Sequence, residues 1–185
     1  MLFRSYLATK SGSRRTWILD ADIKGCFDNI DHNSLMKTIG SFPARGLIKK
    51  WLKSGYVDKG VFFKTEQGTP QGGIISPLLA NIALHGMESW LGIKYRGGVS
   101  SDTIKPACPV IVRYADDFVV LCHTKDKAVE AKEKIKAFLA TRGLELSEEK
   151  TSISKLDDGF DFLSFNIRSY RVLSARQCDK PLSMS

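Results

Sequence analysis

The sequence lacks the cysteine and histidine spacings of zinc sites, and it lacks a long uninterrupted apolar run. None of its four cysteines belongs to a CxxC pair, and its three histidines complete no zinc pattern. We therefore expect free thiols in a reducing compartment. The most apolar stretch, residues 72–91, is interrupted by Pro77, Asn81, His85 and Glu88. It predicts no membrane span.

The first 16 residues lack the apolar centre of a secretory signal. Arg4, Lys10, Arg14 and Arg15 precede the first acidic residue, so we interpret residues 1–16 as a basic lead-in. The same composition resembles an organellar transit peptide faintly. We expect a bacterial cytoplasmic protein, with an organellar location as the alternative.

The size and charge of the chain favour one domain that binds a polyanion. With 185 residues, of which 43% are hydrophobic, the chain is long enough for one compact core. Lysine and arginine number 28 against 20 acidic residues, which gives a net charge of +8. That excess favours a partner such as nucleic acid, but it is also found on ordinary solvated surfaces. Composition alone leaves both interpretations open.

The first half of the chain predicts a strand followed by helices. Residues 17–19 form a short apolar run before Asp20, and Asp31 is placed to cap a helix. Apolar residues at helical spacing predict a second helix over 47–52, and residues 61–63 predict a strand. Ser76 followed by Pro77 predicts the start of a helix that runs to about Leu91, with a buried apolar stripe whose last residue is Trp90.

The second half predicts a hairpin with acidic residues near its tip. Residues 110–112 and 118–121 are two β-rich runs around Ala115, Asp116 and Asp117. Thr124 then caps a helix that ends at Gly143 and has Val129, Ile135, Phe138 and Leu139 on one side. Residues 153 and 160–165 supply further strand material. This order predicts an α+β fold of the split βαβ type, a small antiparallel sheet backed by helices.

That topology places the first strand beside the hairpin, so Asp22 is expected next to Asp116. Asp20 and Asp22 lie on the same face of the strand because side chains alternate. Nucleotidyl transfer uses two Mg²⁺ ions, which require carboxylate oxygens from separate segments. Two unrelated acidic turns are the alternative, and either cluster alone favours it.

Five ordered segments carry a family resemblance. They are residues 20–32 (DADIKGCFDNIDH), 68–81 (GTPQGGIISPLLAN), 113–117 (RYADD), 143–151 (GLELSEEKT) and 159–165 (GFDFLSF). Together they resemble the catalytic motifs of reverse transcriptases encoded by group II introns and retrons, across residues 17–168. The resemblance implies a polymerase-type palm domain over these residues.

The resemblance implies a metal site and a substrate site. Asp22 and Asp116 correspond to the main ligands of two Mg²⁺ ions, Asp117 assists, and the Ile23 carbonyl is a backbone ligand. The implied substrates are an RNA template, a DNA primer or cDNA and deoxynucleoside triphosphates, and intron RNA is a further implied partner.

Four residues correspond to the nucleotide-handling positions of the family. Phe27 matches the ring that excludes a ribose 2′-OH, although a core phenylalanine is the alternative. Gln71 and Gly72 correspond to residues against the incoming nucleotide and templating base, where glycine permits close backbone approach. Lys150 matches a proposed proton donor to pyrophosphate, although lone lysines are usually solvated.

Other acids are interpreted as structural, and parts of the family pattern are not found. Asp20, Asp28 and Asp31 are expected to act in caps, turns or pairing with Lys24. The family's fingers precede its first motif and a helical thumb follows its last, so we interpret the chain as a partial enzyme with residues 169–185 starting a thumb. Ser164 stands where the family has glycine.

Three functions remain open from the sequence. The first is an RNA-directed DNA polymerase palm. The second is a catalytically silent protein that binds intron RNA as a splicing (maturase) aid, which the positive charge supports. The third is an RNA-templated RNA polymerase palm, which fits Phe27 and the Gln71-Gly72 pair poorly.

Overall fold

A computed structural model describes residues 15–65, 67–69, 75–94 and 108–168, without the side chains of residues 56–58. The helices within these ranges are α1 (Cys26–Asn29), α2 (His32–Ile39), α3 (Arg45–Leu52), α4 (Ser76–Ala83), α5 (Met87–Trp90) and α6 (Lys125–Ala140). The strands are β1 (Trp17–Ala21), β2 (Tyr56–Asp58), β3 (Val61–Phe63), β4 (Val110–Tyr114), β5 (Asp117–Cys122), β6 (Ser152–Lys155), β7 (Phe160–Phe162) and β8 (Phe165–Ile167).

The main sheet has four antiparallel strands in the order β4-β5-β1-β6. Strand β1 lies between β5 and β6, so Ile18 pairs with Leu121 on one side and with Ser154 on the other. Both Ile18 and Leu19, on opposite faces of β1, are fully buried. The predicted α+β fold, with the first strand beside the hairpin, is therefore confirmed.

Helix α6 packs against β1, β5 and β6 and supplies much of the core. As predicted, the Thr124 hydroxyl accepts a hydrogen bond from the Lys127 amide (3.3 Å) at the start of this helix. Of the apolar residues predicted on one side of this helix, Ile135, Phe138 and Leu139 are buried as expected, whereas Val129 is 44% exposed. The buried side of the turn is formed by Ala128 and Ala131, whose small side chains let the helix approach the sheet.

The single helix predicted from Ser76 to Leu91 is wrong. The structure has two short helices, α4 and α5, separated at Gly86, whose φ of 91° cannot continue a right-handed helix. Trp90 was predicted in the buried stripe, but it is 50% exposed after this change of direction. Its indole N–H donates to the Lys134 carbonyl (2.9 Å), which fixes α5 to α6.

Two small hairpins project from the main sheet and helices. Strands β2 and β3 are joined at Lys59 and Gly60, and β7 and β8 at Leu163 and Ser164. All four turn residues have positive φ, which is the geometry of two-residue hairpin turns. Ser164, in place of the glycine expected from the resemblance, is thus accommodated at a conformational cost of about 1–2 kcal/mol.

Three further expectations concern the basic lead-in, the cysteines and a membrane span. Arg15, in the predicted basic lead-in, is 3% exposed and donates from Nε and Nη2 to the Cys108 carbonyl (3.0 and 2.9 Å). Cys26, Cys108 and Cys122 are free thiols, as expected. Among the described residues, no helix is long and apolar enough to cross a membrane.

A tight contact joins the start of the second motif to the first. Gly68 donates its N–H to the Ile30 carbonyl (2.8 Å) and has φ of 76°. A Cβ atom at this position would meet the Phe27 oxygen at 2.7 Å and the Asp28 carbonyl carbon at 2.6 Å. Because both neighbours are backbone atoms, a side chain here forces the two segments apart.

We predict that Gly68→Ala lowers the free energy of unfolding by more than about 2 kcal/mol, since it combines a left-handed φ with a backbone clash. Gly60→Ala is the matched control, because Gly60 also has positive φ (81°) but a Cβ added there would meet no atom within 4 Å. The control should lose only about 1 kcal/mol. Urea denaturation of both variants measures the difference, and equal losses would contradict the proposed clash.

Candidate active site

The two acidic segments meet at one end of the main sheet. Ala21 pairs with Phe118, so the next antiparallel step places Asp22 beside Asp117, the first residue of β5. Asp116 occupies the two-residue turn immediately before Asp117. Asp22 and Asp116 both line a cavity of about 580 Å³. The strand pairing thus brings together carboxylates that are about ninety positions apart in the sequence.

Two carboxylates at this site, those of Asp117 and Asp20, have a raised pKa. Burial raises the pKa of Asp117, and the negative charges of Asp116 and Asp22 raise it further. Burial also raises the pKa of Asp20, to which Asp117 adds. Asp20 therefore belongs electrostatically to the cluster, although we predicted a structural role for it. This end of the sheet holds more negative charge than its neighbours neutralise.

Lys150 supplies a cation to the cluster. Its ammonium lies 2.9 Å from Asp22 Oδ2, and this hydrogen bond raises the pKa of Lys150. A side-chain proton donor is most effective when its pKa is near the working pH, so Lys150 is a weak acid while it stays paired with Asp22. The predicted role of Lys150 in protonating pyrophosphate requires it to leave Asp22.

The wall opposite β5 comes from residues 143–151, the fourth segment of the family resemblance, whose pairing with the first segment was not predicted. Ser147 donates its N–H to the Asp22 carbonyl (2.9 Å), and Lys24 donates to the Glu145 carbonyl (2.9 Å). These bonds flank the antiparallel bridge between Ile23 and Leu146. In such a pair the central residues direct their own N–H and C=O groups away from each other. The Ile23 carbonyl therefore points toward the β5 side, where Asp116 and Asp117 lie.

Phe27 and Cys26 line the same cavity from helix α1. Phe27 is half-buried and packs partly against the core, so both of its predicted roles remain compatible with its position. Cys26 is buried, and burial followed by the charge of Asp116 raises the pKa of its thiol to about 12. A thiol in that state is a packing group and not a nucleophile.

Backbone hydrogen bonds join the start of the second motif, residues 68–81, to Phe27 and its neighbours. The Thr69 N–H donates to the Phe27 carbonyl (2.6 Å), and His32 Nε2 donates to the Gly68 carbonyl (2.6 Å). Gln71 and Gly72 lie outside the described residues, so their predicted contacts with nucleotide and template stay predictions. The sequence patterns gave no sign of the buried role of His32.

Arg113 holds the acidic turn in place. Its Nη1 donates to the Ala115 carbonyl (2.9 Å) and to Asn81 Oδ1 on α4 (2.8 Å). Ala115 has φ of 54°, an unfavourable value for a residue with a side chain. Both Arg113 and Asn81 belong to segments of the family resemblance, but only the structure reveals that they connect the turn to a helix.

The donor chemistry of the site fits a hard divalent cation. Asp22 and Asp116 offer carboxylate oxygens to the cavity, and Ile23 directs a carbonyl toward the same side. Within the described ranges, no three carboxylate, thiol or imidazole side chains are already grouped closely enough to hold one ion. Asp22, Asp116 and the Ile23 carbonyl are the groups that would hold such a cation, which would supply positive charge at this end of the sheet.

Comparison with known proteins identifies relatives over most of the chain. The sequence profile described as "Reverse transcriptase (RNA-dependent DNA polymerase)" matches residues 3–167. The group II intron-encoded protein LtrA of Lactococcus lactis subsp. cremoris is 34% identical, over 89% of this chain and 37% of its own length. Protein YkfC of Escherichia coli K12 is 32% identical, over 84% and 48% respectively.

A solved structure shares the fold. Apo telomerase from Candida tropicalis superposes with a TM-score of 0.67 over 90% of this chain and 36% of that chain, at 19% identity. The present chain thus spans about a third to a half of the length of these relatives. From the profile match and the identity to intron-encoded proteins, the chain belongs to the reverse transcriptase family and is of the group II intron type.

Proposed function

We propose that this chain provides the catalytic palm, residues 17–168, of an RNA-directed DNA polymerase. The observation that carries the proposal is the β1–β5 pairing, which directs Asp22 and Asp116 into one cavity. Carboxylates from separate segments at one strand end are the arrangement that metal-assisted phosphoryl transfer requires. The implied substrates are an RNA template, a DNA primer and deoxynucleoside triphosphates.

Two Mg²⁺ ions would be held by Asp22 and Asp116, with Asp117 and the Ile23 carbonyl assisting. When bound, they supply positive charge to the nucleophile, the α-phosphate and the leaving group. The chain's own residues hold the ligands in position. Arg113 fixes the turn that carries Asp116, and the bonds from Ser147 and to Glu145 fix the backbone around Ile23.

RNA as the template is supported by the family and by the charge of the chain. One solved telomerase relative, that of Candida tropicalis, is described in complex with a fragment of telomeric RNA. The net charge of +8 favours the same class of ligand here. Positioning the primer and triphosphate needs additional protein surface, which in this family comes from the fingers and thumb.

The second candidate is intron RNA binding without polymerisation. It is supported by the net charge of +8, which favours binding to a polyanion. Salt-dependent RNA binding together with no nucleotide incorporation, in a completed enzyme, would support this candidate over the polymerase.

We predict that Asp116→Asn abolishes primer extension when residues 17–168 replace the corresponding segment of LtrA. The substitution removes a carboxylate that stabilises charge in the transition state, so the rate should fall by at least about a hundredfold. Asp126→Asn, on the surface of α6, changes the net charge equally and should leave the rate unchanged. Extension by the Asp116 variant at the control rate would exclude the metal role.

In the same chimera, we predict that Phe27→Ala admits ribonucleotides, because the ring no longer excludes the 2′-OH. The ratio of ribonucleotide to deoxynucleotide incorporation should rise tenfold or more. A tenfold change corresponds to a loss of about 1.4 kcal/mol in discrimination. Phe42→Ala is the control, since Phe42 is 56% exposed and does not line the cavity. Unchanged discrimination would return Phe27 to a packing role, and a wild-type preference for ribonucleotides would favour the RNA polymerase alternative.

A further inference from the structure

The acidic turn between β4 and β5 has an unfavourable backbone conformation. It consists of Ala115 and Asp116, of which Ala115 has a positive φ of 54°. Positive φ at the first residue of a two-residue hairpin turn is the position where glycine is usual. Alanine is strained there, because its Cβ atom crowds the backbone. The turn that carries the proposed metal ligand Asp116 therefore needs support from outside.

That support comes from one nitrogen atom of Arg113. Its Nη1 donates both to the Ala115 carbonyl (2.9 Å) and to Asn81 Oδ1 (2.8 Å). Each Nη of a guanidinium carries two N–H bonds in a fixed plane. When one N–H bond is directed to Asn81, the other is directed to Ala115. Asn81 thus orients the group that holds the turn.

The guanidinium supports the turn without neutralising the metal ligand. In the described part of the chain, no ion pair joins Arg113 to Asp116. Burial lowers the pKa of Arg113, and the charge of Glu88 opposes that shift. Glu88 lies on α5 and does not line the catalytic cavity. Asp116 therefore keeps its charge for a cation, whereas Asp22 is paired with Lys150.

The position of Asn81 is fixed by helix α4 and not by the turn. Asn81 is exposed, while Leu79, Ala80 and Ala83 of the same helix are buried in the core. The helix also packs against α1 and α2. The second motif thus contacts the first motif at its start, through Gly68, and the third motif at its end, through Asn81.

We propose that Asn81 is a positioning residue for the metal site. Through Arg113 it holds the turn of residues 115 and 116 in the conformation that directs Asp116 into the cavity. It thereby sets the affinity of the site for a divalent cation. This role rests on the proposed function, because it requires Asp116 to bind a metal ion. Loss of a group that orients a metal ligand typically weakens metal binding by about tenfold or more.

The test measures Mn²⁺ binding to the 185-residue chain from the electron paramagnetic resonance signal of free Mn²⁺. Asn81→Ala removes the acceptor of the Arg113 bond, and alanine at an exposed helical position should not impair folding. Asn81→Asp keeps an oxygen for Arg113. Asn33→Ala is the matched control, because Asn33 is also exposed, lies on α2 and does not line the cavity.

We expect Asn81→Ala to bind Mn²⁺ about tenfold more weakly, because the turn is no longer held. Asn81→Asp and Asn33→Ala should stay within about twofold of the wild type. Arg113→Gln should lose about as much affinity as Asn81→Ala. A variant with both Arg113→Gln and Asn81→Ala should lose no more than Arg113→Gln alone, because the two residues act through one contact.

Two further measurements separate positioning from a general loss of stability. In Asn81→Ala with EDTA, the amides of residues 115–117 should exchange hydrogen faster, while those of β1 and α6 keep their wild-type rates. In the LtrA chimera, Asn81→Ala should raise the Mg²⁺ concentration for half-maximal primer extension by about tenfold. The extension rate at saturating Mg²⁺ should return to within about twofold of the wild type, because weakened metal binding is overcome by mass action.

Wild-type Mn²⁺ affinity in Asn81→Ala, with Asp116→Asn unable to bind, would overturn the positioning role and leave the proposed function standing. Additive losses in the double variant would mean that Asn81 acts independently of Arg113. Faster exchange throughout the chain, or an equal loss in Asn33→Ala, would reduce Asn81 to a general structural role. Wild-type affinity in Asp116→Asn, or no binding by the wild type, would contradict the metal assignment itself.

Discussion

The pairing of β1 with β5 is the interaction on which the site depends. Asp22 and Asp116 are far apart in the sequence, and only the register that opposes Ala21 and Phe118 brings their strand ends together. A slip of one residue would direct every side chain of β1 to the opposite face. Ile18, Leu19 and Phe118 are fully buried, so a slip would force side chains of different size and shape into a close-packed core on both faces of the sheet. Core packing therefore determines the geometry of the acidic cluster.

The cluster is costly to the folded protein, and neighbouring groups offset the cost. Burial raises the pKa of Asp117, and repulsion from Asp116 and Asp22 at the same strand end raises it further. Lys150 neutralises Asp22, and Arg113 secures the turn through Asn81. Glu148, two positions before Lys150, lies between Lys132 and Lys136 of α6 and anchors this loop to the helix. These groups hold the acidic segments in place.

Local patterns predicted the elements well where short-range chemistry decides them. Asp31 accepts a hydrogen bond from the Ser34 amide (2.6 Å) at the start of α2, as a helix cap should. The β4–β5 hairpin with its acidic tip also followed from composition and spacing. Predicting the fold class needed the order of all the elements, because no single segment encodes the strand order. Predicting the family needed the five motifs.

What the sequence could not predict depends on contacts between distant residues. The spacing of apolar residues continues through Gly86 without a break, because a hydrophobic pattern does not report the positive φ that ends the helix there. Basic residues usually face solvent, so the burial of Arg15 against the Cys108 carbonyl gave no local signal. The bridge between Ile23 and Leu146, which forms one wall of the cavity, joins two segments whose side-chain patterns do not indicate pairing. Such features arise from tertiary packing and are visible only in the folded chain.

The central claim is that Asp22 and Asp116 share a divalent cation. The most direct measurement is a crystal structure of the chain grown with Mn²⁺, with anomalous diffraction to locate the ion. Our account predicts an anomalous peak in contact with both carboxylates and with the Ile23 carbonyl, and a Lys150 ammonium that has moved away from Asp22. A peak elsewhere, with the Lys150–Asp22 ion pair intact at a saturating concentration of Mn²⁺, would contradict it.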